Sequence, residues 1–171
     1  MNDTQWVFAV AFAIGIGGLV AYLTFLKRRN EAIIQTESKA KDGYSVQLQL
    51  TAYERLTLLV DRIALQNIIP RLNNANFSAR DLQQALTQSI REEFEYNISQ
   101  QIYVSTDAWG AVKNLKEQNM LIVNQTASTL PANATGLDLA KNIMDYLMNN
   151  RVGTLHEVVS EVLSYEAKKL L

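Results

Sequence analysis

Twenty-one consecutive residues, Trp6 to Leu26, carry no charge, and Lys27, Arg28 and Arg29 follow at once. A helix on the surface of a water-soluble domain turns one face to solvent, so charges would interrupt such a run every turn or two. As a helix the run would rise about 31 Å, close to the roughly 30 Å hydrocarbon core of a bilayer. Trp6 at one end, and Tyr22 with the cations at the other, suit the two interfaces, where amphipathic rings and long cationic stems anchor. A cleaved signal peptide would place its positive charge before the apolar run, yet residues 1 to 5 carry only Asp3 and the amino terminus. No small-residue cleavage site follows, because Lys27 does.

The run therefore predicts an uncleaved single-pass anchor. Three cations against none place residues 27 onward in the cytoplasm and the N-terminus outside, at an inner (cytoplasmic) membrane. Five Asn-x-Ser/Thr sequons, at Asn2, Asn76, Asn97, Asn124 and Asn133, point the other way, since random placement gives about 1.6. We read them as a by-product of Asn, Ser and Thr gathering at helix caps and loops. Within the span Ala9, Ala13, Gly17 and Ala21 recur every four residues and share one face. Small residues at that spacing let a second membrane helix approach closely, so the expected partners are the lipid bilayer and another membrane protein or a second copy. The GIGG at 15 to 18 is no dinucleotide-binding turn, because no strand precedes it.

Residues 27 to 50 hold five Lys/Arg against three Asp/Glu, and residues 51 to 171 hold eleven against thirteen. So balanced a domain offers no clustered positive charge for nucleic acid. With no cysteine there is neither a disulfide nor a thiolate metal site. Three segments result: tail and anchor over 1–26, a basic and polar juxtamembrane stalk with an extended piece over 27–50, and a helical cytoplasmic domain over 51–171. In the stalk, Lys27, Arg28 and Arg29 can lie beside anionic headgroups. Val46, Leu48 and Leu50 alternate with polar residues, as in a short strand or extended docking segment.

Four Ser/Thr-x-x-Asp/Glu pairs punctuate the rest, starting at Thr51, Ser78, Thr135 and Thr154, and each precedes an apolar stripe of helical period. Helix one carries Tyr53, Leu56, Leu59, Val60, Ile63 and Ala64 and ends near Pro70. Helix two carries Leu82, Ala85, Leu86, Ile90, Phe94 and Ile98. Helix three starts near Ser105 to Asp107 and buries Trp109, Val112, Leu115, Ile122 and Val123. Helix four carries Leu137, Ala140, Ile143, Met144 and Leu147, with Gly153 after it, and helix five carries Leu155, Val158, Val159, Val162, Leu163, Ala167 and Leu170. Five one-sided stripes describe a mainly α chain whose helices bury their apolar sides against one another.

Chemistry is scarce. His156 lacks the Glu-x-x-His partners of a helical metal site. Glu92, Glu93 and Glu95 flank the inward-pointing Phe94, as a solvated helix face does. No Gly-x-Ser-x-Gly turn and no phosphate loop occur, so no catalytic, cofactor-binding or metal residues are assigned. Ile102, Tyr103 and Val104 are β-formers wedged between two helices, either a buried connector or an extended segment offered to a partner.

The stretches LQLTAYERLTLLVDRI and REEFEYNISQQIYVSTDAW resemble an uncharacterised family of short single-pass bacterial membrane proteins, of Bacteroidota type. The resemblance covers anchor, stalk and helical domain, and implies a bacterial source and membrane anchorage but no catalytic residues. Two functions compete. One is a non-enzymatic membrane-tethered interaction or scaffold module, an accessory subunit of an inner-membrane complex. The other is a membrane-anchored enzyme or ligand-binding domain with a pocket between helices, drawing on Glu92, Glu93, Glu95 or Tyr103. A polar cleft would favour the second and an apolar surface the first.

Overall fold

The computed structural model describes residues 25, 27–28, 43–149 and 155–171. The chain divides into two compact units, 1–45 and 46–171. In the first, Phe25, Lys27 and Arg28 are helical and exposed. Apart from Phe25, the expected span Trp6 to Leu26 lies outside the described residues, as do its small-residue face, Arg29, the stalk over 29–42 and the Thr154 cap. Among the described residues no helix is long and apolar enough to cross a membrane.

Among the described residues every regular element is helical. We label them α1 over 43–63, α2 over Leu65–Leu72, α3 over Ala79–Tyr96, α4 over Thr106–Thr129, α5 over Gly136–Asn149 and α6 over Leu155–Lys168, with a short 3-10 helix over Ile98–Ile102 between α3 and α4. Residues 44–50 are thus helix and not strand, and α1 runs through Thr51 without a break. Thr51 caps nothing; its hydroxyl donates to the Gln47 carbonyl one turn back (2.9 Å), the bond a threonine makes inside a helix.

Helix one ends sooner than Pro70 implies. Ala64 leaves the helical region (φ −56°, ψ 124°), and α2 then carries Pro70 inside it. The break is held by side chains. Asn67 N–H turns to the Ala64 carbonyl (2.8 Å), which deprives the Ile63 carbonyl of its helical donor. The buried Asn119 of α4 supplies the missing bond, Nδ2 to Ile63 O at 2.8 Å, and Asn67 Nδ2 donates to the Asp61 carbonyl at 3.0 Å.

The caps of α3 and α5 form as expected, with the full reciprocal geometry despite an Asp in place of Glu. The Ser78 and Thr135 hydroxyls each donate to the carboxylate three residues on, Asp81 or Asp138 (2.7 Å in both), and each accepts that residue's backbone N–H (3.2 Å in both). Both carboxyls titrate below the ordinary aspartate range, chiefly through the hydroxyls that donate to them. The two caps also meet each other. Ser78 and Thr135 form an isolated antiparallel bridge, with Ala79 N–H on the Ala134 carbonyl (2.9 Å) and Gly136 N–H on the Phe77 carbonyl (2.7 Å). Gly136 has no side chain at a point where a Cβ would lie 3.1 Å from Phe77. The matching segments ANFSARDL (75–82) and ANATGLDL (132–139) are two copies of one turn joined at their caps.

Around this joint, α3 packs on α4 and α5, and α4 also packs on α5 and α6. Leu56, Ile63, Ile68, Leu82, Ile90, Leu115, Leu139 and Leu163 are buried at the centre. Ile98, Leu137 and Val158, expected in the stripes, are about half exposed. Ile98 lies past Asn97, where the chain leaves α3 for the 3-10 turn. Leu137 and Val158 sit off the axes set by Leu139 with Ile143 and by Val159 with Leu163.

Candidate interaction site

An open groove of about 670 Å³ lies between α1 and α6. Leu50, Tyr53, Glu54, Thr57 and Leu58 form one wall, and Leu163, Ser164, Ala167, Lys168 and Leu171 form the other. The spacing within each wall is that of one helical face. The two helices run antiparallel: Gln66, just past α1, lies against His156 at the start of α6 (3.0 Å), while Tyr53 meets Glu166 near its end. Leu163 is fully buried at the base. Leu58 and Leu171, 63% and 90% exposed, stand on the rim. Glu54 and Lys168, both exposed, stand on opposite walls and are not ion-paired with each other.

Beneath the groove a polar cluster ties three elements together. Tyr53 Oη donates to Glu166 Oε2 (2.7 Å), and Ser105 Oγ donates to the same oxygen (2.5 Å). Ser105 N–H donates to Tyr53 Oη (3.3 Å), and Ser105 Oγ accepts Ala108 N–H (3.0 Å), capping α4. Burial pushes the Tyr53 phenol up, and its bond to Glu166 adds to the shift. For Glu166 burial acts upward, but the bonds from Ser105 and Tyr53, with Lys169 nearby, outweigh it and hold the carboxyl below its ordinary range.

A serine beside a carboxylate invites a nucleophilic reading, which the bonding does not favour. Ser105 Oγ already donates to Glu166 and accepts from the helix, and no imidazole is near to take its proton. The cluster is a lock that fastens the start of α4 and the end of α6 to α1. His156 contacts Gln66, and among the described residues no three His, Cys, Asp or Glu gather as a metal site. The carboxylates of 91–96 stand apart from the groove: Glu93 pairs with Arg62 (2.6 Å), Glu92 accepts from Gln88 (2.7 Å), and Glu95 is exposed. Asn97, one of the sequons, is buried with its amide on the Glu93 carbonyl (2.9 Å), a structural asparagine with no room for a glycan.

The connector Ile98–Ile102 is a short 3-10 turn, not an extended segment, and it buries only Gln100. Ile102 is 74% exposed, Tyr103 partly so, and Val104 packs against the core. Ser105 fastens this connector to Tyr53 and Glu166, so Ile102 and Tyr103 sit at the groove's end of the bundle. Ile102 and Tyr103 stand out in the sequence; the groove itself does not. Leu58 was its visible trace, an apolar residue beside Leu59 and Val60 that the helix-one stripe could not absorb.

No curated protein and no solved structure matches this chain. Residues 3–170, nearly the whole length, match a family of unknown function, DUF7935. The chain belongs to that family of unknown function.

Proposed function

We propose that the protein is a membrane-tethered interaction module, an accessory or scaffold subunit whose docking face is the α1/α6 groove. The observation that carries this reading is the groove's character: open, with leucines on both walls and Ala167 on one, set among Tyr53, Thr57 and Ser164, and with Leu58 and Leu171 exposed. Isolated exposed leucines are ordinary, but a continuous apolar channel between two helices is the kind of surface into which another helix lays its own apolar side. In the polar cluster below it the Tyr53 and Ser105 hydroxyls are both engaged with Glu166 Oε2, which supports a fastening role for those side chains. The uncharged run Trp6 to Leu26 supplies the tether, and Lys27, Arg28 and Arg29 favour a cytoplasmic position for the helical unit.

A membrane extract tests both halves. The tagged full chain should sediment with membranes, resist high salt and come into solution with mild detergent. Partner chains recovered with it should fall at least about tenfold for Leu58→Glu, since a carboxylate buried in an apolar contact costs more than 1.4 kcal/mol. Leu58 lies outside the core, so folding should be unchanged. Release by salt alone would remove the tether, and equal recovery of partners from wild type and Leu58→Glu would remove the groove.

A further inference from the structure

We infer that the groove's occupant is a second copy of this chain, docked about a two-fold axis that runs along the groove. The inference rests on the interaction-module reading and adds the partner's identity.

Two features of the groove are self-complementary. Its walls carry opposite charges at the rim, Glu54 on α1 and Lys168 on α6. A two-fold axis along the groove lays α1 of each copy over α6 of the other, which sets Glu54 of each opposite Lys168 of its mate. The face also bears both a channel and the knobs to fill one, because Leu58 and Leu171 stand on the rim of the cavity that a copy would present. Isologous pairing needs this coexistence, since one patch must serve as both partners.

The same axis makes the two α1 helices run parallel, so the chain preceding each leaves from the same end of the pair. That geometry suits two copies tethered to one membrane, because both connecting segments start from the same side. An axis across the groove would send them to opposite ends. Paired this way, α1 and α6 of both copies form a four-helix layer that closes over Leu50, Leu58, Ala167 and Leu171.

The test uses two full-length chains with different tags, extracted in mild detergent. Glu54→Lys paired with itself sets lysine against lysine at both rim contacts, and Lys168→Glu paired with itself sets glutamate against glutamate. Mixed, the two variants regain two opposite-charge contacts. The mixed pair should exceed either like pair by roughly tenfold, the sum of several small rim interactions. Wild type should sediment as a dimer and Leu58→Glu as a monomer. A random mixture of pairs, or a monomeric wild type, would overturn the inference. Recovery of a different chain that Leu58→Glu releases would also overturn it, while leaving the docking groove of the preceding section standing.

Discussion

Glu166 fastens three helices through one oxygen, and its environment sets how that fastening responds to acid. Its folded-state pKa lies below the ordinary value of 4.5, so the stability it contributes is complete above that value. It is lost as pH falls through the folded-state value, where proton uptake removes the charge that Tyr53 and Ser105 donate to. Glu166→Gln should cost about 1–2 kcal/mol near neutral pH and flatten this part of the acid limb, measured as urea midpoints from about pH 3 to 7. An acid limb unchanged from wild type would mean that other carboxylates carry it. None of this was legible in the sequence. Tyr53 and Glu166 are 113 residues apart, and each reads locally as one more position on an amphipathic helix.

The helices were largely legible, because stripe and cap agreed wherever an element is bounded by its own chemistry. Ser78 and Thr135 start α3 and α5 where their Asp partners indicate, and Ser105 caps α4. The failures lie where distant residues decide. Alternation over 44–50 reads as a strand or extended segment, but the partly buried Val46 and Leu50 lie one helical turn apart and, with Tyr53, continue a single face of α1. The break at Ala64 depends on Asn119, 56 positions from the carbonyl it satisfies. Asn119→Ala leaves that buried carbonyl without a donor and should destabilise the domain by about 1–3 kcal/mol, read from thermal or urea unfolding. A loss within about 0.5 kcal/mol would show that the break needs no such clamp. The joined caps were legible one at a time; their pairing through the Ser78–Thr135 bridge was not, because no local signal says that two like turns touch.

At the scale of the molecule, residues 46–171 form a compact unit with a continuous core, so this segment should fold without the N-terminal 45 residues. A chain starting at Val46 should be strongly helical by circular dichroism and unfold cooperatively. Ile63→Asp should abolish that transition, because an unpaired carboxylate at a fully buried site costs several kcal/mol against a total stability of roughly 5–15. A disordered spectrum from the parent chain would deny the unit its independence. The central claim, however, concerns the α1/α6 face, and photo-crosslinking in intact cells addresses it most directly. A photoreactive residue placed at Leu58, on the groove's rim, is compared with one at Asn114, exposed on α4. The account predicts a discrete crosslinked protein species from position 58, lost when Ala167 is replaced by Glu in the opposite wall, and none from position 114. Equal crosslinking from the two positions, or none from 58, would contradict the assignment of the groove as the surface through which this protein works.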